Sequence, residues 1–348
     1  MRNRYIAIVM AVCAVAASVI AASASASSAK QSGGQLVGAG STFVAPLVSQ
    51  WQAAYPSVSG GTNIVYQPIG SGGGIQAITN RTVDFGASDA PLSADQFSNC
   101  KGCYQIPWAL GGTAVMINLK TNSHKPLRIT GPVLAKIYLG QITKWNDSAI
   151  QALNPGVSLP GTAITPVYRS DGSGTSYNFV DYLSSVSATF KSEIGVSTQP
   201  PFKVGVGGKG SSGVSGVVKN TPGAIGYADI AYAITNHIQV MAVRNAAGKY
   251  ETPGIKSIAA AAAAYKTVPS NNEMHIVNPP KTAKIAYPIS TYTYVIVPES
   301  TGNAVPLRKF IFWALTPRGQ AYGVKLRYVP IPKAILVASE RTLAKVHS

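Results

Sequence analysis

Four times along this chain an apolar, β-branched run ends in a short loop of glycine, serine, threonine and aspartate. The four junctions are Leu36–Phe43, Asn63–Gly74, Val83–Pro91 and Ile164–Ser176. After three of them, apolar residues recur at helical spacing: Val44, Leu47, Val48, Trp51 and Tyr55; Ile75 and Ile78; Phe179, Leu183, Val186 and Phe190. Period-2 runs that switch to period 3.6 across a glycine loop describe an α/β chain. In open α/β sheets, ligands bind where strands end in such loops.

The fourth loop is the most informative about the ligand. Arg169-Ser170-Asp171-Gly172-Ser173-Gly174-Thr175-Ser176 holds one fixed cation, one carboxylate, two glycines and four hydroxyls. Loop N–H groups and a helix N-terminus converging on one point favour an anion. Arg169 adds a planar donor fork suited to an oxyanion.

At 348 residues, with 46% apolar, the chain is long enough for about two domains with a sizeable core. A buried strand at Gly111–Asn118 marks a crossing from the first to the second, and a strand at Tyr292–Val297 the return. Helices are expected at Gly131–Leu139, Asp147–Leu153, Lys256–Lys266 and Leu307–Tyr322, and one through Phe179 to Phe190. The formal charge of +17 suggests an anionic partner. The basic residues are scattered, however, with no stripe or aromatic platform, so nucleic acid is not expected as a partner. Gly205, Gly207 and Gly210 match G-x-G-x-x-G by letter, but lie mid-chain rather than in an opening βαβ unit.

The N-terminus carries Arg2 and Arg4, an apolar stretch from Tyr5 to Ala22, and small-residue cleavage candidates ending at Ala26. This is the pattern of a signal peptide over residues 1–26, so export is expected, to a periplasmic or extracellular location, with the mature protein soluble. Cys13 follows Val12, a poor context for lipid attachment. In an oxidising compartment Cys100 and Cys103 read as a small loop disulfide rather than a redox pair. The histidines His124, His237, His275 and His347 are isolated, so no metal or cofactor is expected.

These residues resemble the phosphate-binding proteins of Pst-type ABC transporters. The matching stretches are GAGSTFVAP (Gly38–Pro46), IGSGGG (Ile69–Gly74), VDFGASDAPL (Val83–Leu92), IYLGQITKWN (Ile137–Asn146), DGSGTS (Asp171–Ser176), GGKG (Gly207–Gly210) and PGAIGY (Pro222–Tyr227). Similarity returns more weakly at Tyr287–Pro298 and Leu307–Tyr328. The resemblance implies a two-lobed periplasmic-binding-protein fold of type II, with the ligand in the interlobe cleft. Its lobes would be 36–112 plus 290–348, and 113–289. It implies a monomer without enzymatic activity that binds inorganic phosphate with high affinity and delivers it to a membrane permease.

Carried over by position, the ligand would be held by Thr42, the Phe43 main chain, Ser71, Asp89, Arg169, Ser173, Gly174 and Thr175. Asp171 would orient Arg169. Gly72 departs from the family pattern, which often has serine there. From the residues alone, Thr42, Ser71 and Ser173 read equally as helix caps, Asp89 as a turn residue, and Arg169 as an exposed partner of Asp171. Asp89 carries the selectivity argument. A phosphate P–OH can donate to its carboxylate, whereas sulfate brings no proton and meets repulsion. Phosphate, with arsenate as its near-isostere, is therefore expected over sulfate. The rival readings are an exported phosphoesterase and the same fold binding another oxyanion. The chain has no G-x-S-x-G elbow to support the first.

Overall fold

Each glycine-loop junction forms as its pattern requires. In the computed structural model, which describes residues 34–348, β1 (Gln35–Gly40) precedes α1 (Ala45–Ser59), and β2 (Asn63–Gln67) precedes α2 (Ser71–Thr79). β3 (Phe85–Ser88) then leads to α3 (Ala94–Cys100) and the long β4 (Cys103–Ile117). The signal-peptide reading and Cys13 lie outside the described residues. Next come β5 (Arg128–Ile129), α4 (Gly131–Tyr138), α5 (Ser148–Gln151), β6 (Thr165–Arg169), α6 (Gly174–Val186) and α7 (Ala188–Glu193). They are followed by β7 (Val206–Gly208), α8 (Gly210–Asn220), β8 (Ala224–Asp229), α9 (Ile230–Asn236), β9 (Gln239–Val240), β10 (Ala242–Arg244) and β11 (Tyr250–Glu251). α10 (Ile255–Ala263), β12 (Ser290–Pro298), α11 (Ala304–Leu315), α12 (Pro317–Ala321) and α13 (Lys333–Leu343) complete the chain.

The main sheet runs β2-β1-β3-β12-β4-β8-β6-β7, with β9 on β4, and β11-β10-β5 form a second, small sheet. β4 serves both halves of the main sheet. Its residues Cys103–Gly112 pair with β12, and Thr113–Ile117 pair with β8. β1, β2 and β3 are parallel on one side, and β6, β7 and β8 are parallel on the other. The cage loops at the ends of β1, β3 and β6 therefore meet near the middle of β4.

Each half has its own core. Trp51, Phe85, Trp108 and Phe310 centre the first, with Trp51 and Trp108 rings 5.1 Å apart. Tyr138, Phe179 and Tyr227 centre the second, where Phe179 stacks on Tyr227 at 4.1 Å. Ile258, Ala262, Met274 and Ile276 lie in the first core, while Val277, Tyr287 and Ile289 lie in the second. The chain thus returns to the first half between β11 and Ile276 before its final passage at β12.

Three elements differ from the sequence expectation, each for a local reason. The helix expected through Phe190 breaks at Ser187, which is extended (φ −146°, ψ 109°) and whose hydroxyl accepts from the Phe190 N–H at 3.2 Å. Serine's capping ability outweighs the continuing apolar period there. The helix expected over Leu307–Tyr322 breaks at Thr316, because Pro317 forces its predecessor out of the helical region (ψ 158°). β4 begins at Cys103, well before Gly111, although Pro107 lies inside it. The register with β12 shifts beside Pro107, since Thr293 pairs with Ala109 and Tyr294 with Pro107, leaving Trp108 as the extra residue of a bulge.

Cys100 and Cys103 are joined by a disulfide that closes the turn between α3 and β4. Arg81 spans this turn, donating to the Cys100 carbonyl at 2.7 Å and to the Cys103 sulfur at 3.3 Å.

α2 lies close against β1 because Gly74 has no side chain. A methyl group there would stand 2.4 Å from Gly40 Cα and 2.7 Å from the Ala39 carbonyl oxygen, both main-chain atoms. Gly74→Ala is therefore expected to lower the urea midpoint, destabilising by about 1–3 kcal/mol as overpacked sites do. A midpoint equal to wild type would mean that α2 can move off β1 without loss.

Candidate functional site

Thr42, Phe43, Ser71 and Asp89 come from the first half, and Arg169, Asp171, Ser173, Gly174 and Thr175 from the second. The structure brings these nine residues to one buried place. Thr42, Ser71, Asp89, Arg169, Ser173 and Thr175 are each at most 4% exposed. Arg169 is buried rather than exposed, and Ser71 and Thr42 make contacts across the cleft rather than acting as simple caps.

Ser71 Oγ accepts from the Gly174 N–H at 3.0 Å and from the Asp89 N–H at 3.3 Å. Thr175 donates its hydroxyl to Asp89 Oδ2 at 3.1 Å and receives Arg169 Nη1 at 3.4 Å. Thr42 Oγ1 lies 2.9 Å from Ser211 Oγ and accepts the Ser211 N–H at 3.1 Å. Asn178 Nδ2 donates to the Asp89 carbonyl at 2.8 Å. Gly72 stands against Gly172, its N–H donating to the Gly172 carbonyl at 2.9 Å. A Cβ on Gly72 would lie 3.2 Å from Gly172 Cα, so the departure from serine serves the close approach of two backbones.

Arg169 is the buried cation of the site. Its Nε and Nη2 donate to the two Asp171 oxygens at 2.7 and 2.5 Å, the bidentate fork that fixes a guanidinium plane. Burial pushes the Asp171 carboxyl up, but the Arg169 guanidinium and the Gly210 N–H outweigh it and hold the group below its ordinary value. Asp89 behaves oppositely. Burial raises its carboxyl from 3.8 to about 6, against the opposing pull of Ser41, Arg169 and Thr175.

Ser173 and Phe43 also have local partners. The Ser173 hydroxyl accepts from the Ser176 N–H at 3.0 Å and caps α6. The Phe43 ring is core, and its N–H donates to Ser41 Oγ at 3.0 Å. Sequence reasoning missed Ser41, Ser211 and Asn178. Ser41 and Ser211 each sit at a glycine-to-helix junction, the signal that singled out Ser71 and Ser173. Asn178 has no signal beyond its place one turn into α6. Of the G-x-G-x-x-G glycines, Gly205 precedes the edge strand β7, Gly207 lies on it and Gly210 begins α8, its N–H serving Asp171. Asp229 caps α9 through the Ala231 N–H at 2.9 Å. Among the described residues no group of three or more metal-ligating side chains occurs.

A buried cage of hydroxyls, main-chain N–H groups and one guanidinium, closed between two α/β halves, defines a solute-binding protein. A model of the PBP superfamily domain matches residues 24–318. The phosphate-binding protein PstS of Xylella fastidiosa is 42% identical over 301 residues, covering 86% of this chain and 82% of the relative. PstS of Haemophilus influenzae is 36% identical over 307 residues, covering 86% and 90%. The chain belongs to the PstS phosphate-binding protein family. Solved structures agree on the fold. A high affinity periplasmic phosphate-binding protein bound with phosphate superposes with a TM-score of 0.72 at 20% identity, covering 88% of this chain and 93% of that one. A phosphate ABC transporter substrate-binding protein from Clostridium perfringens, with bound phosphate, gives 0.63 at 19%, covering 86% and 100%.

Proposed function

We propose that this protein binds inorganic phosphate between its two halves, outside the cytoplasmic membrane, and delivers it to the permease of an ABC transporter. The observation that carries this reading is the buried Asp89 carboxylate set among donors and one guanidinium. A site built for a fully deprotonated oxyanion gains nothing from such a group, whereas a ligand P–OH can donate to it. Arg169, Thr175, Ser71, Thr42 and the main chain at Gly174 supply the donors that the other phosphate oxygens need.

The lobes of this reading are the halves of the main sheet: 36–112 with 290–348, joined by the stretch that contributes Ile258 to Ile276, and the rest of 113–289. Phosphate bridging the two would favour the closed arrangement, and the permease would read that shape. Among the described residues no helix is long and apolar enough to cross a membrane, which accords with a protein that works free of the bilayer once exported.

Calorimetric titration of phosphate and, separately, sulfate into protein stripped by unfolding and refolding tests the assignment. Tight phosphate binding without sulfate heat is the expected result. Absence of phosphate heat would overturn it, and turnover of a chromogenic phosphate ester would favour the phosphoesterase instead.

Stability is also pH-sensitive. His275, in the stretch that packs on the first core, pairs with Asp181 on α6. The Asp181 hydrogen bond foremost raises the His275 imidazole above its ordinary value of 6.5. The ion pair is therefore fully present below 6.5 and lost as pH rises through the raised value. His275 is 59% exposed, so solvent limits the pair to about 1 kcal/mol or less. His275→Gln should lower the thermal midpoint slightly at about pH 5.5 and leave it unchanged at about pH 9. Equal loss at both would show that packing, not charge, is what the side chain supplies.

A further inference from the structure

Ser41 is buried beside the cage, at the loop between β1 and α1. Its main-chain N–H donates to the Ala87 carbonyl at 2.8 Å, continuing the β1–β3 ladder that pairs Gly40 with Ala87. Its hydroxyl oxygen accepts from the Phe43 N–H at 3.0 Å and the Val44 N–H at 3.3 Å. With both lone pairs engaged, the hydroxyl has one thing left to give, its proton, and that proton goes to Asp89 Oδ1.

We propose that Ser41 is a positioning residue for phosphate selectivity. It occupies Asp89 Oδ1, leaves Oδ2 for the ligand, and keeps the carboxylate an acceptor rather than a donor. The inference rests on the phosphate reading of the cage. Among the described residues only Ser41 and Thr175 hydrogen-bond to the Asp89 carboxyl oxygens. They are not equivalent. Thr175 reaches Asp89 from the other half of the molecule, so its bond is lost when the halves part. Ser41 and Asp89 ride on neighbouring strands, so theirs survives. In the open protein Ser41 alone holds the carboxylate ready.

The remaining titratable groups facing Asp89 do not replace this bond. Tyr66, Tyr232 and Tyr328 are neutral, each pushed up by burial foremost. Asp229 is pushed up, first by burial and in part by Asp89 itself. Arg169 favours the ionised carboxylate but hydrogen-bonds to Asp171 and Thr175. Burial lifts Asp89 to about 6, and the Ser41 hydrogen bond is the first of the forces opposing that rise.

Loss of the hydroxyl should let Asp89 take up a proton at higher pH. A protonated Asp89 can donate, and a donor admits sulfate. The test follows the Asp89 carboxyl carbon by NMR in protein carrying carbon-13-labelled aspartate, beside calorimetric titration of phosphate and sulfate from about pH 5 to pH 8. In Ser41→Ala the Asp89 midpoint should rise by about one unit or more, and sulfate binding should appear at correspondingly higher pH. Ser41→Thr, which keeps the hydroxyl, should retain the wild-type midpoint. In the Asp89→Asn background, Ser41→Ala should no longer move the pH at which sulfate enters. An unchanged midpoint in Ser41→Ala, with wild type binding phosphate, would overturn the role of Ser41 alone. So would a loss of phosphate affinity that is equal at every pH and persists beside Asp89→Asn, since the hydroxyl would then only cap the loop. Wild-type protein that takes up no phosphate would instead overturn the reading beneath it.

Discussion

Asp89→Asn should admit sulfate to a cage that wild type keeps for phosphate. The carboxylate is buried and meets the site through Oδ2, so a ligand without a proton faces an unscreened like charge there. A site that demands a hydrogen bond from its ligand can reject an analogue lacking it by about 10⁴-fold or more. Asparagine can still accept a P–OH through its carbonyl and can donate to sulfate through its amide. Phosphate affinity should therefore fall by about 10- to 100-fold, while the preference over sulfate collapses by about 10³-fold or more. Calorimetry with both anions near neutral pH reads both quantities, and sulfate still excluded from the variant would place selectivity elsewhere in the cage.

The same substitution has a stability signature. With its carboxyl raised from 3.8 to about 6, ionised Asp89 destabilises the closed protein above pH 6, and stability recovers as pH falls from 6 toward 3.8. The shift corresponds to about 3 kcal/mol at most. Because the penalty belongs to the closed arrangement, ligand-free Asp89→Asn should be more compact than wild type at neutral pH by small-angle scattering, and the difference should vanish at low pH. On the proposed reading, a phosphate P–OH donating to the carboxylate would relieve the same penalty in wild type and couple ligand to closure through one group.

Gly174→Ala should uncouple folding from binding. Gly174 is the first residue of α6, and its N–H reaches across to Ser71. A methyl group at this position would lie 2.4 Å from the Ala90 nitrogen and 2.7 Å from main-chain atoms of Asp89. Those atoms belong to the opposite half, so the clash exists only when the halves are together. Within its own helix alanine is favoured over glycine by about 1 kcal/mol. The ligand-free variant should therefore melt at or slightly above the wild-type temperature while phosphate affinity falls by about 100-fold or more. Small-angle scattering should show it still expanded when phosphate is added. Normal affinity with normal compaction would mean that the halves close without Gly174 touching Asp89.

Much of this molecule is written locally. The four glycine-loop junctions, the order of strands and helices around them, and the Arg169–Asp171 pair follow from residues only a few positions apart, where period, cap and turn chemistry act. The breaks at Ser187 and Thr316 were local too, but a helical apolar period masked them. The start of β4 was hidden by Pro107, which only the bulge opposite β12 accommodates.

What the chain order alone could not decide is where each hydroxyl points. Ser41 meets Asp89 across 48 positions, and Thr42 meets Ser211 across 169. Ser173, by contrast, turns to its own helix. The same residue types at the same kind of junction take different partners, because a hydroxyl rotates to whichever unmet donor or acceptor the packed backbone presents. The sequence by itself therefore determined the kinds of groups that could cage an anion. The meeting of two half-sheets along β4 decided which of them face it, because the bonds that orient them form only once distant strands are brought side by side.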